Sequence, residues 1–184
     1  MTPAETHAPL APSPWVLRFA PLVSPGTRVL DLACGSGRHA RVFAARGCKV
    51  DAVDRDKQAL AQLLGVPNVR TLACDLESGV WPFGSADYDA IVVTNYLHRP
   101  LIHRIFGSLN ASGVLLYETF MLGNERFGRP SRPEFLLRPD ELLEVSVGEL
   151  EVVAFEQGYA AHPQPAMVQR LAAVKPGFLR DRPL

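Results

Sequence analysis

The stretch Val29-Leu30-Asp31-Leu32-Ala33-Cys34-Gly35-Ser36-Gly37-Arg38 constrains the fold of this chain more than any other. A short apolar run breaks into a glycine-rich turn, and a helical stretch follows from Arg38 to Ala45. Small residues at Ala33, Gly35 and Gly37 let the backbone come close to a ligand, and glycine tolerates the tight turn. Asp31 stands at the strand's end, where it can accept hydrogen bonds from a cationic or amino group. A second apolar run, Lys49 to Val53, ends at Asp54. An acid about twenty residues past such glycines is the expected partner of a ribose hydroxyl pair. Together these features predict an adenosine-containing cofactor at the carboxyl edge of a parallel sheet.

The glycines alone do not name that cofactor. Gly35 to Ala40 formally fits the dinucleotide pattern G-x-G-x-x-G/A, which keeps a nicotinamide or flavin enzyme open. Two carboxylates argue against it. Asp31 is poorly placed against a pyrophosphate, which wants helix-terminal N–H groups and no nearby anion. The same carboxylate suits the ammonium of an amino-acid-bearing cofactor. Asp75 follows a third strand-like run, Val69 to Leu72, and can accept from an exocyclic adenine amine.

With these residues in order, the chain resembles the class I S-adenosylmethionine-dependent methyltransferases. Asp31 to Gly37 resembles the first motif of that family, with Ala33 in place of its first glycine. Asp54 matches the ribose-binding acid, and Asp75 the adenine-contacting acid. Asp87 to Asn95 resembles the fourth-strand motif, and Ser112 to Tyr117 the fifth strand. The resemblance runs from Trp15 to Lys175. It implies S-adenosyl-L-methionine held by Asp31, Ala33, Gly35 and Gly37, by Asp54 and Arg55, by Cys74, Asp75 and Leu76, and by Asn95 and Tyr96. Within the family the chain is similar to tellurite-resistance-type and related small-molecule methyltransferases, by its compact size and lack of an appended recognition domain.

The rest of the chain alternates strand-like and helical stretches. Strands are expected near 28–32, 49–53, 69–72, 89–94 and 113–119, rich in Val, Ile and Leu without strict alternation. That is the pattern of strands buried on both faces of a parallel sheet. Helices are expected near 38–46, 56–64 and 98–109. Ser13-Pro14-Trp15 reads as an earlier helix start, with Ser13 as cap and Pro14 at the first position. Leu150 to Gln157 and Met167 to Val174 read as an antiparallel hairpin. The predicted fold is α/β: a doubly wound, mostly parallel Rossmann-like sheet of about seven strands with that hairpin at its C-terminal end. A flexible tail is expected over residues 1–12 and a single methyltransferase domain over 13–184.

Composition narrows the partners. The 184 residues carry 19 Lys and Arg against 19 Asp and Glu. A neutral chain lacks the cationic excess that draws nucleic acid, which argues against an RNA or DNA acceptor. No run has the apolar length of a membrane span. Three cysteines without metal-ligand spacing, and five scattered histidines, predict free thiols, a cytoplasmic protein and no metal site. A monomer or homodimer is expected.

Acceptor-facing candidates come from the ends of the fourth and fifth strands. His98, at the start of a helix, is a candidate base, and Glu118, emerging from an apolar strand, is a candidate acid or base at the acceptor. The Gly/Pro-rich loop Gly123 to Pro133 carries Arg126, Arg129 and Arg132, suited to carboxylate, phosphate or oxyanion recognition. Arg126, Arg129 and Trp15 are the candidate substrate contacts. The function expected is methyl transfer to a small acceptor, anionic if the arginines meet it. Methylation of RNA or protein, a non-catalytic cofactor-binding protein and an NAD(P)-dependent oxidoreductase are the alternatives.

Overall fold

The computed structural model describes residues 11–178, so the tail expected over 1–12 lies almost wholly outside the described residues. Seven strands form one sheet: β1 (Arg28–Leu32), β2 (Lys49–Asp54), β3 (Val69–Ala73), β4 (Tyr88–Thr94), β5 (Leu109–Phe120), β6 (Glu151–Ala160) and β7 (Ala166–Val174). Their order is β3-β2-β1-β4-β5-β7-β6. The first five run parallel, while β7 pairs antiparallel with both β5 and β6. This is the sheet with a C-terminal hairpin expected from the sequence.

The missing hydrophobic alternation has a direct cause. Val29, Ala90, Val92, Val114, Leu116, Ala172 and Val174 pack into one core layer, and Leu30, Ile91, Val93, Leu115, Tyr117, Leu171 and Ala173 into the other. Successive residues of each central strand thus enter opposite layers, so the strands are apolar on both faces except toward their ends, where polar residues such as Asp31, Thr94 and Glu118 stand. Helices α1 (Pro14–Phe19) and α2 (Arg38–Ala45) contribute buried residues to the first layer, as α3 (Lys57–Ala61) does through Leu60. Helices α4 (Ile102–Ser108) and α5 (Glu141–Ser146) cover the second. Ser13 caps α1 as expected, its hydroxyl accepting from the Trp15 N–H at 3.1 Å.

Several elements differ from the sequence reading, β5 for one starting at Leu109 rather than near 113. α3 ends at Ala61 rather than near 64, where the chain turns toward Gly65, a residue in the left-handed region (φ 78°). The helix expected from 98 opens as a 3-10 turn, Arg99–Leu101, with Pro100 inside it. α5 is absent from the sequence reading altogether. It is only six residues long and is held by tertiary contacts: the Gln169 side chain accepts from the Leu142 N–H at 2.7 Å, and Arg99 pairs with Glu141 at 2.6 Å.

Strand order reverses between β1 and β4, whose neighbouring carboxyl ends leave a crevice. Open α/β sheets bind ligands at such a switch point.

Candidate active site

The turn after β1 is shaped by its own backbone. Ala33, Gly35 and Gly37 take positive φ angles of 52°, 55° and 75°. The Cys34 N–H donates to the Val53 carbonyl at 3.0 Å, tying the turn to β2. Asp54 closes the arrangement: Oδ2 accepts the Gly35 N–H and Oδ1 the Asp56 N–H, both at 2.8 Å. At Gly37 the need for glycine is also one of packing, because a Cβ there would overlap the buried Leu63 side chain. At Gly35 the space is open.

Asp31 lies beneath this turn. It is fully buried, and Oδ2 accepts the Ala40 N–H of α2 at 2.8 Å while Oδ1 has no partner. Burial pushes its carboxyl up to about 7, against the opposing pull of the Ala40 N–H and the Arg38 guanidinium.

A cavity of about 390 Å³ opens at the strand ends. Of the residues expected to hold the cofactor, Ala33, Asp54, Arg55, Cys74, Asp75, Leu76, Asn95 and Tyr96 line it. Asp31, Gly35 and Gly37 do not; they build the floor and the turn. Asp75 is fixed by accepting the Glu77 N–H at 3.0 Å, and Tyr96 by its carbonyl, which accepts the Tyr117 hydroxyl at 3.0 Å. Burial and the neighbouring Glu77 raise the Tyr96 phenol and keep it protonated. Glu77, Leu97, Thr119, Pro130 and Phe135 complete the wall and were not expected at the cofactor from the sequence.

A second cavity, about 420 Å³, lies on the other side of Asn95, which lines both. Glu118 and Arg129 are on its wall, as are Phe120 and Arg170. Glu118 Oε2 accepts from Arg170 Nε at 2.7 Å, and Arg170 reaches Glu156 at 3.3 Å. The antiparallel register sets Arg170 opposite Glu118. The loop after β5 is anchored through buried Asn124, whose side chain donates to the Pro130 carbonyl at 3.0 Å and accepts the Met167 N–H at 3.1 Å.

Three candidates from the sequence line neither cavity. Trp15 is buried in the core against Phe19, ring centroids 4.6 Å apart. Arg126 donates to the Gly123 carbonyl at 3.2 Å and lies over the Phe127 ring. His98 is half-buried with Nδ1 3.9 Å from Glu77. Each was expected at the acceptor because of its place in the chain, and each side chain is instead taken up by local packing or a neighbouring polar group.

One histidine the sequence reading passed over does position the site. His39 Nε2 accepts the Ser13 N–H at 3.0 Å, which leaves the ring proton on Nδ1, 3.3 Å from the Thr94 hydroxyl. Burial lowers its basicity to about 3, with Arg38 adding to the effect, so it stays neutral. This side chain ties the segment before α1, which walls the second cavity at Ala11 to Pro14, to α2 and the end of β4. No spacing signals such a role; it exists only when three elements meet.

Among the described residues no helix is long and apolar enough to cross a membrane, and no group of His, Cys, Asp or Glu is placed to hold a metal ion.

Comparison with known proteins agrees with this geometry. A family model described as a methyltransferase domain matches residues 29–112. The chain is 36% identical over 81 residues to an uncharacterized methyltransferase of Synechocystis, covering 42% of this chain and 36% of that protein. It is 32% identical over 112 residues to a protein-L-isoaspartate O-methyltransferase of Gloeobacter violaceus, covering 54% of this chain and 53% of that protein. The chain thus spans between about a third and a half of the curated relatives it matches. Among solved structures, TehB from Haemophilus influenzae superposes with a TM-score of 0.72 at 22% identity, over 87% of this chain and 61% of that one. A TehB-like methyltransferase from Corynebacterium glutamicum gives 0.62 at 20% identity, over 88% and 86%. Motif order, strand order and these matches agree: the chain has the α/β methyltransferase fold, and its residues 29–112 match a methyltransferase domain.

Proposed function

We propose that this protein transfers a methyl group from S-adenosylmethionine to a small acceptor bearing an anionic group. The observation that carries this reading is the pair of cavities meeting at Asn95, one rimmed by Asp54 and Asp75, the other by Glu118 and Arg129.

The residues present fit the cofactor. Asp54 spends one hydrogen bond per oxygen on the backbone and keeps lone pairs for ribose hydroxyls. The unpartnered Asp31 Oδ1 beneath the turn is a buried carboxyl oxygen that a nearby ammonium would hold in its charged form, which favours an ammonium-bearing ligand over a pyrophosphate. Bound there, the cofactor supplies a methyl group already activated by the sulfonium charge. The protein's part is alignment and exclusion of water, and proximity of this kind is worth ~7–11 kcal/mol. Glu118, fixed by Arg170, stands ready to take a proton from an acceptor that arrives protonated.

The arginines weigh against a nucleic-acid face. Arg99 is paired with Glu141, Arg132 with Glu134, and Arg104 is bound to the Gly79 carbonyl. Arg129 alone of that group has no hydrogen bond or ion pair among the described residues, too little cation for a phosphate backbone.

Thermal unfolding with S-adenosylmethionine, S-adenosylhomocysteine, NAD and NADP tests the cofactor. Ligand at about 100 times its dissociation constant adds ~2.7 kcal/mol. For a chain this long the midpoint rises by roughly 5–10 °C. The rise is expected with the first two ligands only; a rise with NAD or NADP alone overturns the reading. Asp54→Asn, which keeps an acceptor for the backbone but loses the charge, is expected to weaken S-adenosylhomocysteine by ~1.5–3 kcal/mol in calorimetric titration. Unchanged affinity removes Asp54 from the ribose site.

A further inference from the structure

The second cavity is large for an inorganic oxyanion acceptor. Its volume of about 420 Å³ lies in the range of pockets for organic ligands, roughly 300–1,000 Å³. An inorganic oxyanion occupies about the volume of two waters, on the order of 60 Å³, and would leave most of the cavity to solvent. Much of the wall is apolar, with Phe120, Phe127, Pro163 and Pro165 on it. Phe127 is exposed, its ring centroid 5.4 Å from that of Tyr159. Rings and prolines offer flat surfaces on which another ring can lie.

The charges on the wall are not equivalent. Arg170 is committed to Glu118 and Glu156. Arg38 gives one N–H to the Ala11 carbonyl and has no carboxylate partner in hydrogen-bond contact among the described residues. Arg129 has no hydrogen bond or ion pair among the described residues. Two guanidiniums are therefore left to meet an anion. Glu118 is 8% exposed, and its Oε1 receives no hydrogen bond from any described residue while Oε2 is held by Arg170. A lone-pair acceptor with a fixed orientation is thus available at the cavity wall.

We infer, resting on the methyl-transfer reading above, that the acceptor is a ring-bearing organic acid with a nucleophilic O–H or N–H. Its anionic group pairs with Arg129 and Arg38, its ring lies against Phe127 and the prolines, and its O–H or N–H donates to Glu118 Oε1. On transfer, the heteroatom's lone pair forms the bond to the methyl carbon. The carbon–sulfur pair stays on sulfur, and the heteroatom's proton passes to Glu118 and then to water.

Calorimetric titration of the protein saturated with S-adenosylhomocysteine tests this without turnover. The probes are 4-hydroxybenzoate and 6-hydroxy-2-naphthoate, their methyl esters, the parent benzoate and 2-naphthoate, and selenite. The hydroxy acids are expected to bind, and masking the carboxylate to weaken them about tenfold. Removing the hydroxyl should weaken them about fivefold. Arg129→Gln should remove most of each acid's advantage over its ester, Arg38 keeping the rest, and leave the ester unchanged; Glu118→Gln, with a weaker neutral acceptor, should reduce the preference for the hydroxyl. Selenite binding in preference to every aromatic probe overturns the inference, as does the failure of both hydroxy acids to bind. S-adenosylhomocysteine failing to bind in the first place overturns the methyl-transfer reading instead, so the two failures are told apart.

Discussion

Two buried residues at the site pull stability in opposite directions as pH changes. Asp31 has its folded carboxyl raised to about 7, so between the ordinary carboxylate range and 7 the folded chain holds a proton that the unfolded chain has released. Stability from this group falls as pH rises through that window. His39 is depressed to about 3, so between 3 and 6.5 the unfolded chain takes a proton that the folded one refuses. Stability from this group is lost as pH falls through that window. Between about 4 and 6.5 the two slopes oppose and largely cancel. Asp31→Asn should remove one of them. Its stability relative to the parent is expected to be greater at pH 8 than at pH 5 by on the order of 2 kcal/mol, read by urea denaturation at both values. Equal differences at the two values would mean that Asp31 is ionised in the folded protein throughout.

The turn after β1 shows how much of an element the sequence can disclose. Its position, its glycines and the acid twenty-three residues beyond Asp31, Asp54, are legible because they belong to one local βαβ unit. What Gly37 is for is not legible, since the side chain that would collide with a Cβ there belongs to Leu63, far along the chain. Gly37→Ala is expected to cost ~1–2 kcal/mol for its positive φ and ~1–3 kcal/mol more for that overlap. Gly35→Ala, at a similar φ but beside open space, is expected to cost only the first amount. Equal costs in thermal or chemical unfolding would show that Leu63 yields freely. The same distinction explains α5 and His39, whose roles depend on partners at Gln169, Arg99, Ser13 and Thr94. It also explains the acceptor candidates: Glu118 and Arg129 reach a cavity and Trp15, Arg126 and His98 do not, because side-chain direction is set by packing that no spacing encodes.

For the whole molecule, the hairpin is core as well as edge. Leu171, Ala172, Ala173 and Val174 of β7 are fully buried between the two layers, and β7 pairs with β5 over seven residue pairs. The residues matched by the methyltransferase family model stop at 112, before most of β5. A chain lacking residues 149–184 should therefore expose the β5 edge and lose cooperative unfolding, monitored by circular dichroism in urea. A sharp single transition in that fragment would show the hairpin to be dispensable. An ion chain spans the same region, from Arg18 through Glu156 and Arg170 to Glu118. The hairpin's connecting residues His162 to Pro165 wall the second cavity and are absent from the lining of the first. One short loop can thus be rewritten to admit a different guest while the donor's berth keeps its shape, which makes this corner of the chain the place where a new substrate preference can be installed without relearning how to hold the methyl donor.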